Sequence, residues 1–411
     1  MLRENMTLTP ELQDKISNLG PVDIVVGIST KNVDTTIIHV MNVVATGLIK
    51  YMPGYNGLVV VSDGFSTDKT IQLAEMFELP SSVPKIVTEQ MGGPGKGNGI
   101  KTIFEIASAV DASSVVLVDG DLLSIRPEWI EHLGKPPLYG ISDLVIPYYV
   151  RDKHDGVITN HIAYPLTESL HGIGIRQPIC GEYGLSIECV RELLKHPLIP
   201  GDFGIDIFIT TFAAAHKYEI QQTLLGLKLH ESTTKYLAPE KHLVPMFRQV
   251  VGMIFELMDY YEDEWRGNGH SVIAQKAKAK FKGQIPTPVT VDAKKFDDGF
   301  KSGYEQYKAE FDRLLDEELC CRLEEATRED MAYIEPELWA KSIYRLATAY
   351  KYSEDNEGKD RAIDCLRTLW MARVSSYVED TSGLEVEEAE NILTKQAEIF
   401  RTEIDNLKSI Y

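Results

Sequence analysis

Short runs of apolar residues alternate with amphipathic stretches along the first third of the chain. The runs are rich in β-branched and aliphatic residues and are too short for helices, which is typical of buried strands. They occupy residues 23–28, 57–61, 85–87 and 115–118. Apolar residues at helical spacing follow each run. This alternation predicts right-handed βαβ connections and an α/β fold with a mainly parallel sheet flanked by helices.

Two carboxylates separated by one glycine follow the fourth predicted strand. Asp119 and Asp121 come directly after residues 115–118, and ligands of open α/β sheets bind beyond the carboxyl ends of the strands. Hard oxygen ligands at this spacing suit Mg²⁺ or Mn²⁺, with substrate phosphates completing the coordination shell. The alternative is an acidic turn that caps the helix predicted to begin near Pro127. The local sequence leaves both interpretations open.

Polar and glycine-rich loops follow the other predicted strands. The polar loops cover residues 29–36 and 62–68, and the glycine-rich loop covers residues 92–99. Glycines allow the backbone to approach an anion closely, and Lys96 adds a positive charge at the start of a predicted helix. The loop lacks the Gly-Lys-Ser/Thr ending of an NTPase phosphate loop, which disfavours that class. A flexible connection between strand and helix is the structural alternative.

The composition excludes several classes of protein. Hydrophobic residues make up 44% of the 411 residues, as in soluble globular proteins. The formal charge of −20 argues against nucleic acid as a partner, because binding a phosphate backbone needs surplus lysine and arginine. No stretch approaches the roughly 18 apolar residues of a membrane span, and residues 1–6 lack the apolar core of a signal peptide. We therefore expect no membrane partner and a cytoplasmic location.

The cysteines and the C-terminal third carry no further motif. Five cysteines are an odd number without metal-site spacing, which predicts free thiols in a reducing compartment. Amphipathic helices are predicted at residues 301–330, 336–352, 360–378 and 383–409. We expect residues 266–411 to form a helical lobe that covers the sheet and forms a homodimer or a higher homo-oligomer.

Several motifs in the same order resemble the GT-A glycosyltransferases. Within that class, the chain resembles the mannosylglycerate synthases and the glucosyl-3-phosphoglycerate synthases over about residues 22–250, and weakly at residues 369–374. The motifs that carry the closer resemblance lie at residues 94–99, 119–122, 177–183, 204–206 and 228–230. The resemblance implies a GT-A catalytic domain over residues 1–265, with a nucleotide-sugar half of about 21–125 and an acceptor half of about 126–265.

The resemblance also implies roles for the donor-side residues. Asp121 would bind the divalent cation, Asp119 would contact the donor ribose and support the metal site, and His230 would be a further metal ligand. The cation would neutralise charge on the departing nucleotide, and Lys96 would act on the same diphosphate oxygens. The residues expected to hold the base, ribose and diphosphate are Ser29, Asn32, Asp34, Asp63 and Gly95.

Purely structural roles are the alternative for three of these residues. Asp34 and Asp63 are equally suited to be helix-cap or turn residues. A lone histidine in an apolar strand, such as His230, is more often structural than a metal ligand.

An acceptor site is predicted at residues 148–160. A small hydroxy acid needs a cation for its carboxylate, and Arg151 offers a bidentate fork while Thr159 offers a hydroxyl. In the mannosylglycerate synthases an arginine, an aspartate and a threonine recur four residues apart, as Arg151, Asp155 and Thr159 do here. Gly156 and Lys228 complete the expected acceptor set.

Two departures bear on the acceptor. The phosphoglycerate enzymes carry a Gly-Arg-Val-Thr string, whereas residues 156–159 read Gly-Val-Ile-Thr. Glu231 and Ser232 stand where both groups of relatives place an arginine, although Lys228 could compensate. These departures favour free glycerate or a related 2-hydroxy acid over 3-phosphoglycerate.

The relatives retain the anomeric configuration, which two mechanisms can achieve. A covalent glycosyl-enzyme would need a carboxylate against the anomeric carbon, and Glu182 and Asp206 are the candidates. In the family, however, these residues resemble binders of sugar hydroxyls. Attack on the same face needs only an acceptor hydroxyl held beside the leaving diphosphate. We favour the same-face route.

The predicted function is transfer of glucose or mannose to the 2-hydroxyl of glycerate, giving an α-hexosylglycerate that serves as a compatible solute. The donor would be UDP-glucose, GDP-glucose or GDP-mannose. The first alternative is a glucosyl-3-phosphoglycerate synthase. Less favoured are a nucleotidylyltransferase, whose glycine-rich loop would directly follow the first strand, and a non-catalytic nucleotide-sugar-binding protein.

Overall fold

The computed structural model describes residues 8–231, 239–267 and 284–411. The side chains of residues 239–242 are likewise not described. Residues 1–6 and Ser232, on which two of the expectations above depend, lie outside the described residues. By their contacts, the residues group into two compact units.

A seven-stranded sheet lies in the first unit, which draws on Met1–Val150, Gln177–Val250 and Ile273–Ile285. The strands are β1 (Ile24–Thr30), β2 (Gly57–Asp63), β3 (Lys85–Glu89), β4 (Ser114–Asp119), β5 (Leu144–Val150), β6 (Tyr183–Ser186) and β7 (Ile220–Leu227). Their order is β3-β2-β1-β4-β6-β5-β7. β6 runs antiparallel to β4 and β5, and the remaining pairs are parallel. The predicted mainly parallel sheet is confirmed.

Helices connect and cover these strands. They are α1 (Pro10–Ser17), α2 (Ile37–Tyr51), α3 (Thr70–Met76), α4 (Lys96–Ala109), α5 (Glu128–Leu138), α7 (Ile187–Lys195) and α8 (Ile205–Ala215). Val115 and Val116 point to opposite faces of β4, and both are fully buried. Burial on both faces explains why this strand is a continuous apolar run rather than an alternating one.

The register of the central strands brings three carboxyl ends to one edge of the sheet. Ser29 of β1 lies beside Ser62 of β2 on one side and Asp119 of β4 on the other. Thr30 is paired with Asp63 at the end of β2. The polar loops predicted after these strands therefore leave the sheet side by side.

The second unit is helical and draws on Arg151–Arg176, Val251–Val272 and Pro286–Tyr411. It contains a π-helix (Thr159–Ala163), α6 (Tyr164–His171), α10 (Glu262–Gly267), α11 (Ala293–Gln306), α12 (Lys308–Leu314), α13 (Glu317–Arg328), α14 (Pro336–Lys351), α15 (Asn356–Asp380), α16 (Val386–Thr402) and α17 (Ile404–Ile410). α9 (Pro239–Tyr260) divides between the units. The predicted helical character of the C-terminal region is confirmed, although the segments predicted at 301–330 and 383–409 each divide into more than one helix.

The grouping of Arg151–Arg176 differs from the expected domain plan. These residues were expected in the acceptor half of a catalytic domain over residues 1–265, yet their contacts place them in one unit with the C-terminal helices. α6, for example, packs against α16. The bounds 1–265 and 266–411 remain a prediction.

Two expectations about the whole chain can be compared with the described residues. Within them, no helix combines the length and the apolar composition needed to cross a membrane. All five cysteines are described, and none of them forms a disulfide.

Candidate active site

Lys96 lies between two carboxylates at the carboxyl edge of the sheet. Its Nζ is 3.1 Å from Asp119 Oδ1 and 3.1 Å from Asp206 Oδ2. Asp119 ends β4, Lys96 begins α4 and Asp206 lies in the first turn of α8. Ser29 adds a hydroxyl that donates to Asp119 Oδ1 at 3.3 Å. The structure thus brings together four of the predicted site residues.

Glycines bring Lys96 into this position. The first turn of α4 and the residue before it pack directly on the main chain of residues 200–202, and a Cβ on Gly95 or Gly97 would clash there. The Gly97 N–H donates to the carbonyl of Asp202 at 3.1 Å. Gly95 and Gly97 therefore allow a close contact within the first unit that the sequence did not predict. The approach of this loop to an anion stays a prediction.

A second buried ion pair lies beside the first. Lys228 Nζ is 2.8 Å from Glu182 Oε2, and the Tyr149 hydroxyl donates to the same oxygen at 2.7 Å. Gly181 lies so close to Asp119 that a Cβ there would clash with its carboxylate. Lys228 was expected to bind the acceptor. In the structure it forms an ion pair with Glu182, and a role toward the acceptor stays a prediction.

The charges in this cluster affect one another strongly. Burial acts to lower the pKa of Lys96, but the carboxylates of Asp119, Asp206 and Glu182 outweigh it and hold that pKa well above its usual value. Burial raises the pKa of Glu182, and Lys228 opposes this rise. Lys96 is consequently a permanent cation at the pH values at which enzymes work.

Asp121 and His230 lie together just beyond the carboxyl end of β4. Asp121 Oδ2 is 3.7 Å from His230 Nδ1. A bridge between Leu122 and His230 and the bond from the Glu231 N–H to the Asp121 carbonyl hold the two segments side by side. These residues are 109 positions apart in the sequence, so the fold creates the pair.

The pair fits a metal that shares its ligands with a substrate. Within the described part of the chain, no group of three or more His, Cys, Asp or Glu side chains is arranged to hold a metal by itself. Mg²⁺ and Mn²⁺ commonly take one or two protein ligands and complete their shells with phosphate oxygens and water. One carboxylate and one imidazole at this separation suit that arrangement.

The structure does not support the helix-capping alternative for the acidic pair. α5 begins at Glu128, and its N-cap residue is Pro127 rather than either aspartate. Asp119 instead binds Lys96, and Asp121 faces His230. Both carboxylates therefore belong to the cluster at the strand end.

The loops after β1 and β2 hold the remaining donor-side residues. Asn32 Oδ1 accepts the Thr67 N–H at 2.8 Å and so ties the two loops together. Asp63 is fully buried, and its carboxylate accepts hydrogen bonds from Thr30 and from both the N–H and the hydroxyl of Ser66. These bonds are those of a turn residue, and a donor-binding role for Asp63 stays a prediction.

Asp34 lies in the same loop but does not cap the following helix. α2 begins at Ile37, and among the described side chains none forms a capping hydrogen bond at its start. The Asp34 N–H donates to Asp68 Oδ2 at 3.2 Å. Its role toward the donor is untested and stays a prediction.

Three of the predicted acceptor residues lie together in the second unit. A Cβ on Gly156 would be 3.2 Å from Arg151 Nη1 and 3.8 Å from Thr159 Oγ1. Thr159 begins the π-helix, and the Asp155 carbonyl accepts the side chain of Asn160 at 2.9 Å. The structure thus brings Arg151 and Thr159 to the same turn, as an acceptor site would require.

Sequence reasoning missed several partners of these residues. The hydrogen bond from Tyr149 to Glu182 and the ion pair between Lys96 and Asp206 each join residues far apart in the chain. In the second unit, Trp339 and Gln396 contact the main chain of the acceptor segment. No local pattern marks such contacts, because each requires the fold.

Comparisons with known proteins find similarity to solved structures. No protein-family model and no curated protein matches the chain. Solved structures of glucosyl-3-phosphoglycerate synthase from Mycobacterium tuberculosis do. The complex with phosphoglyceric acid is 25% identical, has a TM-score of 0.46 and covers 60% of this chain and 82% of that chain. The complex with Mn²⁺, UDP-glucose and phosphoglyceric acid is 24% identical, also has a TM-score of 0.46, and covers 63% and 86%.

Because the TM-scores are below 0.5, the function is inferred from this chain's own residues.

Proposed function

We propose that this protein is a metal-dependent glycosyltransferase that moves a hexose from a nucleotide diphosphate sugar to the 2-hydroxyl of glycerate or a related small hydroxy acid. The observation that carries the proposal is the approach of Asp121 to His230, 3.7 Å apart, beside the Lys96 cluster. The cluster lies where ligands of such sheets bind.

The charges explain why a cation is needed. The cluster has three carboxylates, of which Asp206 and Glu182 are buried and Asp119 is half-buried. Its two lysines are already paired with them. A diphosphate brought to Asp121 would add further negative charge within a few ångströms, which is strongly unfavourable at low dielectric. A divalent cation, when bound, offsets this charge and stabilises the leaving diphosphate.

The protein's own groups then orient the donor. Lys96 is held by two carboxylates, so its ammonium has one fixed position from which to contact a phosphate or sugar oxygen. Asp119 is held in turn by Ser29 and Lys96. Such preorganised charges need no rearrangement when the bond to the leaving group breaks.

The burial of the two candidate nucleophiles supports same-face attack. Glu182 is fully buried and is bonded to Lys228 and Tyr149. Asp206 is 4% exposed and is paired with Lys96. A carboxylate committed to a buried ion pair is poorly placed to form a bond to a sugar carbon. We therefore infer that the acceptor hydroxyl attacks beside the leaving diphosphate, whose oxygen takes the proton.

The acceptor class follows from Arg151 and Thr159. A guanidinium binds a carboxylate through two parallel hydrogen bonds, and a neighbouring hydroxyl can donate a third. Gly156 leaves open the space between these two side chains, since a side chain there would contact both. A small hydroxy acid such as glycerate matches this set of groups.

The experiment is a matrix of donors and acceptors. UDP-glucose, GDP-glucose and GDP-mannose are each incubated with glycerate, 3-phosphoglycerate and lactate, with Mg²⁺, Mn²⁺ or EDTA. We expect one donor to give an α-linked hexosyl product with glycerate, detected by mass spectrometry and NMR, and no product in EDTA. Product with 3-phosphoglycerate alone would correct the acceptor. Absence of any hexosyl product across the matrix would refute the proposal.

A further inference from the structure

Three side chains of the C-terminal helices donate hydrogen bonds to the main chain around Thr159. In each contact an N–H from α14, α15 or α16 reaches a main-chain carbonyl: Trp339 Nε1 donates to His161 (2.8 Å), Trp370 Nε1 to Val157 (3.3 Å) and Gln396 Nε2 to Asn160 (3.1 Å). All these residues belong to the second unit. Three separate helices thus contact one five-residue stretch of backbone.

The backbone that they contact is unusual. Residues Thr159–Ala163 form a π-helix, and the Tyr164 N–H bonds to the Thr159 carbonyl five residues earlier. Such helices are rare and occur frequently at functional sites. Gly156, just before it, has a φ of 71°. A wide turn of this kind is less stable than an α-helical turn, so bonds from outside the turn are needed to hold it.

The donors are themselves rigidly held. Trp339 and Gln396 are fully buried, and Trp370 is 1% exposed. Gln396 Oε1 accepts Arg373 Nε at 3.0 Å, which orients the amide so that its N–H₂ points at Asn160. Arg373 is also fully buried and is fixed by the Ile334 carbonyl at 2.9 Å and by Asp380 at 3.3 Å. A buried hydrogen-bond network of this kind restricts these side chains to one geometry.

We propose that Trp339, Trp370 and Gln396 are positioning residues for the acceptor. They act through the main chain of residues 157–161 and fix Thr159 against Arg151, so that both groups address one carboxylate. This inference rests on the proposed transferase function and deepens it. It gives the C-terminal helices a role in selecting the acceptor. Loss of these hydrogen bonds is predicted to weaken acceptor binding and to leave donor binding unchanged.

The test removes one donor N–H at a time. Trp339→Phe and Trp370→Phe keep an aromatic ring but lose the indole N–H. Gln396→Glu keeps an oxygen for Arg373, replaces the donating amide group with a second oxygen, and adds a negative charge that Arg373 offsets. Trp265→Phe is the matched control, because Trp265 is also buried in the second unit and its Nε1 donates to the Met258 carbonyl at 2.8 Å, outside the acceptor segment.

Steady-state kinetics and hydrogen exchange are measured on the full-length chain. We expect each of the three variants to raise the acceptor KM by about fivefold, the effect of one lost hydrogen bond, with the donor KM unchanged. Amide exchange in residues 156–164 should accelerate in these variants. Trp265→Phe should show neither change, although its thermal stability should fall by a similar amount.

The outcomes separate the two proposals. If the wild-type protein transfers no hexose to any acceptor, the proposed function fails, and the inference fails with it. If the wild type is active but the variants share the acceptor KM of Trp265→Phe, only the inference is overturned. Equal increases in the donor and acceptor KM would also overturn it, since they would indicate a general structural defect.

Discussion

At the scale of single residues, Asp206 fixes the position of a lysine at the carboxyl edge of the sheet. It lies in the first turn of α8 and holds Lys96, which also contacts Asp119 at the end of β4. If Asp206 lost its charge, Asp119 would be the one remaining ion-pair partner of Lys96 among these two carboxylates. The position of both groups toward the donor would then change.

Asp206→Asn is therefore expected to lower turnover by about a hundredfold, the scale for losing one preorganised donor to developing negative charge, because Lys96 would no longer be held in place. Because the proposed mechanism forms no covalent glycosyl-enzyme intermediate, intact-protein mass spectrometry of the variant with donor should show no added mass. Asp143→Asn is the matched control, since its carboxylate also accepts hydrogen bonds in the first unit but lies at the amino end of β5. A mass increase of one hexosyl group would contradict same-face attack.

At this scale the local sequence marked candidate residues but did not indicate their pairings. Asp119 and Asp121 follow an apolar run, and that local pattern marked them as candidate ligands. The contact between Lys96 and Asp206 joins residues 110 positions apart and depends on how α4 and α8 meet. No spacing in the sequence encodes such a contact.

At the scale of elements, the approach of two loops is the feature that places Lys96. Gly97 N–H bonds to the Asp202 carbonyl, and the surrounding space is filled by the main chain of Pro200 and Gly201. Main chain cannot give way as a flexible side chain can. A methyl group at Gly97 must therefore push the loops apart.

We expect Gly97→Ala to destabilise the protein by about 1–3 kcal/mol, the range for overpacking, and to lower activity because Lys96 moves with its helix. Gly93→Ala is the control in the same loop, since a Cβ there meets no atom within 4 Å. Urea unfolding of both variants measures the difference. Equal free energies of unfolding for the two variants would show that the close approach is not required.

Elements with a regular pattern were predicted, and those that depend on distant contacts were not. β1, β2 and β4 follow from apolar runs because both of their faces are buried. β6 (Tyr183–Ser186) is short, and its antiparallel pairing is set by β4 and β5. The π-helix at Thr159 is bonded by tryptophan and glutamine side chains more than 170 residues away.

At the scale of the whole molecule, buried histidines link stability to pH. Burial lowers the pKa of His171 to about 4, and burial together with Arg373 lowers the pKa of His161 well below its usual value. An unfolded histidine titrates near 6.5. Between these values the unfolded chain binds more protons than the folded one, so stability present above about pH 6.5 is lost as the pH falls toward 4.

For His171, we expect the free energy of unfolding to fall by up to about 1.4 kcal/mol per pH unit below pH 6.5. His171→Gln should reduce this slope, whereas His39→Gln, which changes an exposed side chain, should not. Urea titrations at several pH values between 5 and 7.5 give the slopes. An unchanged slope in His171→Gln would contradict a neutral, buried His171.

The central claim is that Asp121 and His230 hold a divalent cation jointly with a nucleotide diphosphate. The most direct measurement is the thermal stability of the protein with UDP or GDP, in Mn²⁺ or in EDTA, for the wild type, Asp121→Asn and the surface control Glu75→Gln. With nucleotide a hundredfold above its Kd, binding adds about 2.7 kcal/mol to folding stability. We predict this gain for the wild type and Glu75→Gln in Mn²⁺ only, and its loss in Asp121→Asn. Equal stabilisation in EDTA, or in Asp121→Asn, would contradict the claim.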